Sequence, residues 1–206
     1  MTITRHRTAN APARRFAIFA MASVIVALMT GSQPGVLSAG PASAADGGWA
    51  AVTAGSIVLL RHAEAPGTGD PPGFRVGDCT TQRNLSAAGR AQSVRIGEAF
   101  RARGIPVGKV LSSQWCRCVD TAELAFPGRV EREPAFNSFF ENRSSETAQT
   151  ASARSILSAW TGPGVLVVST HQVNITALTG AVPSSGEAIV VRPARGKLDV
   201  VGRIKP

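Results

Sequence analysis

Ile57-Val58-Leu59-Leu60 is a run of four apolar residues that ends abruptly in Arg61, His62 and Glu64, and Pro66-Gly67 then breaks regular structure. A run so short and so uniformly apolar suits a strand covered on both faces, which confines the chain to folds with helices packed over a sheet. Two further segments have the same character: Lys109–Ser113, and Gly164–Ser169 with Thr170-His171 after it. Between and after them lie helical patterns. One opens at Asn84-Leu85-Ser86, where Ser86 or Asn84 can cap, and carries Val94, Ile96, Ala99 and Phe100 before Gly104 and Pro106 stop it. Others cover Gln114–Ala125, Glu146–Trp160 and Asn174–Gly180, and Glu187–Arg192 and Leu198–Ile204 read as closing strands. Strands alternating with helices predict an α/β fold, a three-layer sandwich with a mostly parallel central sheet flanked by helices. Residues 131–140 read as irregular. Gly67–Gly77, with four glycines and Pro71-Pro72, reads as an extended surface loop of the length that serves function more often than not.

The first forty-odd residues do not belong to that pattern. Arg5, Arg7, Arg14 and Arg15 form a basic leader, Phe16–Met29 is an apolar and small stretch of 14 residues, and Ala42-Ser43-Ala44 supplies a small-x-small cleavage site. The stretch falls short of the about 20 residues a membrane-spanning helix needs. Residues 1–44 are therefore expected to be a signal peptide, 45–55 a loose lead-in and 56–206 one domain, exported to the periplasm or medium, with no stable membrane insertion after cleavage. Arg14-Arg15 matches the twin-arginine pattern in part, so the export route stays open. Removing the leader leaves 18 basic against 13 acidic residues, a net +5 where the whole chain has +9. With no basic run, that excess suits a small anionic substrate and speaks against nucleic acid. Oligomeric state has no signal in the sequence.

Cys79, Cys116 and Cys118 all follow the leader. In an exported protein they imply one disulfide and one thiol left over. Cys79 can pair with Cys116 or with Cys118, and either crosslink would tie the Gly-rich loop to the segment bearing Arg117. A zinc site is the competing reading; it needs a fourth ligand from His62 or His171.

After the leader the chain has just two histidines, His62 and His171, and each directly follows a strand. A solvated strand cap accounts for one Arg-His pair, but not for two histidines and two arginines at three strand ends. If the strands are parallel neighbours, Arg61, His62, Arg117 and His171 converge at one carboxyl edge, where open α/β sheets bind ligands. Two guanidiniums can hold a phosphate through fork-like bonds, one imidazole can attack phosphorus, and the other can stabilise the equatorial oxygens.

Leu60-Arg61-His62-Ala63-Glu64, then Leu111-Ser112-Ser113 with Arg117 and Thr121-Ala122, then Thr170-His171, resembles the histidine phosphatase superfamily, with its phosphoglycerate-mutase-like fold. The likeness covers roughly Ile57 to Val191, and Asn84–Gln92 is similar to the family's segment opening its first long helix. The resemblance implies a phosphomonoesterase in which His62 becomes phosphohistidine, Arg61 and Arg117 hold the phosphoryl group and His171 completes the pocket, with no metal or other cofactor. Its partner would be a small phosphorylated substrate; a cytoplasmic mutase role fits a signal peptide poorly. The chain departs from the family at the proton donor. Asn137 stands where one branch has a glutamate, and Gln172 where another has an aspartate. Glu64, Glu141 and Glu187 are the remaining carboxylates near the motifs, of which Glu187 or Glu141 is the expected donor, and Asn137 could instead bind a substrate oxygen. The missing acid motivates a second reading, a phosphate- or phospholigand-binding module that kept the cradle and lost catalysis.

Overall fold

The computed structural model describes residues 48–206. The expected signal peptide and the start of the lead-in lie outside them. Six strands, β1 (Ile57–Arg61), β2 (Val107–Ser112), β3 (Val130–Arg132), β4 (Val165–Thr170), β5 (Ala188–Ala194) and β6 (Lys197–Ile204), form one sheet in the order β3-β2-β4-β1-β5-β6. Strands β3, β2, β4 and β1 are mutually parallel, while β5 runs antiparallel to both β1 and β6. The four helices are α1 (Ala87–Ala102), α2 (Cys116–Ala125), α3 (Glu146–Ser158) and α4 (Gln172–Thr179).

Alternation along the strands divides the core in two. Val58, Leu60, Val110, Val165, Val167 and Val190 face Ile96 and Phe100 of α1 and Ala122 and Ala125 of α2. Ile57, Leu59, Leu111, Leu166, Val168 and Ile189 face Ala153 and Leu157 of α3 and Ile175 and Leu178 of α4. This is the expected three-layer sandwich. Both faces of β1 and β4 are covered, so neither shows a polar alternation.

Ser86 caps α1 by accepting from the Gly89 N–H at 2.9 Å. Helices α1 and α2 cross closely at Gly97, where an added Cβ would lie 2.1 Å from the Ala125 carbonyl oxygen. Gly97→Ala gains about 1 kcal/mol of helix propensity but meets backbone that cannot yield without parting the helices. Overpacking of this kind costs about 1–3 kcal/mol, so the net expectation is a lower urea midpoint; a higher midpoint would contradict the packing.

Two expectations need correction. Residues 131–140 are not wholly irregular: Val130–Arg132 forms β3, an exposed edge strand held by pairing with β2 and by the ion pair of Lys109 with Glu131 at 2.8 Å. Nor is the lead-in loose over its described part. Trp49 and Val52 are buried, Trp49 meets Phe100 edge-on at 5.2 Å, and the Arg103 guanidinium lies 4.4 Å above its ring.

Candidate active site

The strand ends bring the two histidines together. Arg61 of β1 pairs with Thr170 of β4, and the His62 N–H donates to the Thr170 carbonyl at 2.9 Å, so the next residues on both strands, His62 and His171, emerge side by side. Their ring centroids are 5.6 Å apart. The Ser113 N–H donates to the Ser169 carbonyl at 2.9 Å, which brings the end of β2 to the same edge and starts α2 there. Arg117, in the first turn of α2, thereby reaches the histidines.

A cavity of about 110 Å³ opens at this edge, lined by Arg61, His62, Asp70, Arg83, Arg117 and His171, and also by Glu141 and Phe140. Since one water needs only about 10–15 Å³, the space suits a polyatomic group. Gln172 and Val173, the first residues of α4, also line it.

Hydrogen bonds fix both imidazoles. The His62 Nδ1 lies 2.8 Å from the Ala63 carbonyl oxygen, which can only accept, so Nδ1 carries the proton and Nε2 keeps its lone pair. At His171 the Arg117 Nη2 donates to Nδ1 at 3.5 Å, so Nε2 carries the proton and donates to Ser113 Oγ at 2.9 Å. Ser113 in turn donates to the Asn137 Oδ1 at 3.3 Å. Burial pushes the His62 pKa down to about 3, and the positive charge of Arg117 adds to the effect; burial and then Arg117 likewise hold His171 well below its ordinary value. Both rings are therefore neutral at neutral pH.

This neutrality sets an acid sensitivity. Both histidines bind a proton more readily in the unfolded chain, so stability is unaffected above about pH 6.5 and declines as pH falls below it, towards about 3 for His62. Each histidine contributes at most about 1.4 kcal/mol per pH unit. Melting temperatures measured from pH 7 to pH 5 are expected to fall, with a shallower slope in His62→Ala; a flat wild-type profile would contradict the assignment.

Three guanidiniums line the cavity, one more than the sequence suggested. Arg83, just ahead of α1, donates from Nε to the Gly69 carbonyl at 2.7 Å and from Nη1 to the Ala65 carbonyl. Asp70 is the second residue the sequence reading missed. It pairs with Arg117 through both carboxylate oxygens, at 2.8 and 3.1 Å, and also accepts from the Trp115 Nε1 at 2.9 Å. Burial alone would raise the Asp70 pKa, but the hydrogen bonds and charge of Arg117, with the bonds from Arg83 and Trp115, outweigh it and hold the carboxyl below its ordinary value. The Nε atoms of Arg61 and Arg117 are buried without a hydrogen-bond partner among the described residues. Buried orphan donors are uncommon, and each calls for a partner such as a water or an ion.

Of the acids and amides named from the sequence, Glu141 and Gln172 line the cavity, Glu141 with its Oε1 against Gly69. The Glu187 carboxylate instead pairs with Arg203 at 2.7 Å and accepts from the Ser184 N–H at 2.7 Å, away from the cavity lining. Asn137 does not line the cavity either. Its Oδ1 accepts from Ser113 and Gln114 and its Nδ2 donates to Gln114, so it braces His171 through Ser113. Cys79 and Cys116 form the disulfide, which takes two thiols from any zinc site and leaves Cys118 buried, its thiol pushed up to about 12 by burial.

With this geometry in place, the likeness to known proteins gains meaning. Residues 57–139, from β1 to the end of the Asn137 segment, match the model of the histidine phosphatase superfamily (branch 1). Over these residues the chain is similar to the histidine phosphatase superfamily. Its fold is similar to that of the Rv3214 protein of Mycobacterium tuberculosis, at 15% identity and a TM-score of 0.53 over 70% of this chain and 94% of that one. It is similar also to the TTHB049 protein of Thermus thermophilus, at 19% identity and 0.51 over 72% and 98%. A third likeness is to the protein histidine phosphatase SixA complexed with tungstate, at 14% identity and 0.50 over 73% and 97%. No curated protein matches the chain. Asp70 and Arg83, which the sequence reading did not single out, join the pocket beside the matched segment's Arg61, His62 and Arg117.

Proposed function

We propose that the protein is an exported phosphomonoesterase that works through a phosphohistidine on His62. The observation that carries this reading is the neutral His62 ring, its Nε2 lone pair free, lining a cavity with Arg61, Arg83 and Arg117. Nε2 attacks phosphorus, the P–O bond to the alcohol breaks, and the cations offset the charge spread over the phosphoryl oxygens. The departing alkoxide takes a proton from Glu141, the cavity-lining carboxyl that is not bound to an arginine; Asp70, held anionic by Arg117, does not supply it. Water then gives a proton to the Glu141 carboxylate and attacks phosphorus, the P–N bond breaks, and neutral His62 and phosphate are released. A phosphate-like oxyanion, tungstate, is bound by SixA, a protein of the same fold. Export is supported by the Cys79–Cys116 disulfide and by the leader; no helix among the described residues is long and apolar enough to cross a membrane.

Turnover of an activated aryl phosphate in the presence of chelator tests the reading, because such a leaving group needs little protonation. Turnover is expected, and Glu141→Gln should slow an alkyl phosphate at least ~10-fold while sparing the aryl ester, as loss of a general acid does. Phosphate binding without turnover would instead favour the non-catalytic module.

A further inference from the structure

Asp70 belongs to the Gly- and Pro-rich loop, and its carboxylate is saturated. Oδ1 accepts from Arg117 Nη1 at 2.8 Å and from the Arg83 N–H at 3.0 Å; Oδ2 accepts from Arg117 Nη2 at 3.1 Å and from Trp115 Nε1 at 2.9 Å. These fill the roughly four acceptor positions a carboxylate has. The Asp70 and Arg117 side chains are each only 3% exposed. The remaining terminal N–H groups of Arg117 also meet protein atoms, Nη1 the Arg83 carbonyl at 3.3 Å and Nη2 the His171 Nδ1 at 3.5 Å. Nε is buried and has no hydrogen-bond partner among the described residues. The fork of this arginine, which the sequence suggested would clasp phosphate, is occupied.

We propose that Asp70 is a positioning residue for phosphoryl transfer: it takes the Arg117 fork and fixes the guanidinium beside His62 and His171 at the cavity wall. The proposal rests on the reading of His62 as nucleophile. For the phosphoryl group to take the fork instead, both Arg117–Asp70 bonds would have to break, and withdrawal of the carboxylate would break those from the Arg83 N–H and Trp115 Nε1 as well. Further along, the same loop is held at Cys79 by the disulfide to Cys116, the neighbour of Arg117, so the carboxylate has little freedom to withdraw. Charge points the same way. Arg61, Arg83 and Arg117 crowd beside two neutral histidines, and Arg117 lowers the pKa of both other arginines after burial has done so. One carboxylate reduces three positive charges to two, matching a phosphate monoester that carries about −1.5 to −2 near neutrality.

The test compares Asp70→Asn, which keeps the size and loses the charge, with Asp70→Glu, which restores the charge. Readouts are kcat and KM for an aryl phosphate and competitive inhibition by inorganic phosphate. Asp70→Asn is expected to lower kcat by ~10- to 100-fold, the scale of a small mispositioning, with phosphate inhibition unchanged or weaker and partial recovery in Asp70→Glu. Tighter inhibition by phosphate in Asp70→Asn would make the carboxylate a competitor for the fork and overturn the proposal. So would unchanged kcat and KM. Should Asp70→Asn fail to fold, Trp115→Phe removes one bond to Asp70 without altering charge, and a several-fold fall in kcat is expected; an unchanged kcat overturns the proposal. Absence of turnover in the wild type would refute the proposed function separately. Phosphate titration of the same variants then decides about Asp70, weaker binding supporting it and tighter binding refuting it.

Discussion

His62→Ala is expected to lower kcat for an activated aryl phosphate by at least ~10³-fold while moving the melting temperature by only a few degrees. The two expectations differ because His62 contributes little to packing. It is a polar ring desolvated at a cavity wall, its one hydrogen bond to the protein runs from Nδ1 to the carbonyl of the adjacent residue, and burial keeps it from charging. Functional positions of this kind are often neutral or costly for stability. Neither the second histidine nor the nearby free thiol can take over its role. The His171 ring has both nitrogens engaged, and the Cys118 thiol, pushed up to about 12, is not a nucleophile at neutral pH. Arginine and phosphate would still meet in the variant, so phosphate should continue to bind. Activity in His62→Ala within tenfold of the wild type would remove the nucleophile from the account.

Loss of the Cys79–Cys116 disulfide is the second large effect, and here stability should suffer first. The bridge closes a loop across a sequence separation of 37 residues. Chain-entropy arguments assign such a crosslink about 3–4 kcal/mol, and for a domain of this size each kcal/mol moves the melting temperature by about 2–4 °C. Cys79→Ala/Cys116→Ala should therefore melt about 10 °C lower. Cys116 opens α2 one residue before Arg117, and Cys79 follows the loop that delivers Asp70. Loosening both anchors should raise KM for the aryl phosphate as well. Equal melting temperatures and equal KM, with and without the bridge, would show that the loop is held by its other contacts.

The sheet and the edge where the site forms were legible in the sequence because a strand covered on both faces leaves an uninterrupted apolar run. Such runs end where the chain leaves the core, and here they end in Arg61-His62 and His171. The short edge strand β3 escaped because Glu131 and Arg132 face solvent, so its pairing with β2 leaves no hydrophobic trace. Asp70 and Arg83 escaped for a different reason. A lone acid in a glycine-rich loop has no periodicity, and nothing local predicts that it folds back onto an arginine in α2. Glu187 and Asn137 mislead in the opposite sense. Glu187 directly precedes β5 and its carbonyl accepts from the Arg61 N–H, and Asn137 follows the short turn Pro134–Phe136 after β3, but their side chains turn to Arg203, Ser184, Ser113 and Gln114. Proximity along the chain fixed the neighbourhood of these residues and left the direction of their side chains to packing.

The central claim, covalent transfer to His62, is tested most directly by quenching the enzyme during turnover under alkaline conditions, where a phosphoramidate survives, and mapping the phosphoryl group by peptide mass spectrometry. The account predicts a phosphoryl group on the peptide containing His62, lost on acid treatment and absent from His62→Ala. Steady turnover with no phosphoryl group on His62, or with one on Ser113, Cys118 or His171, would contradict it.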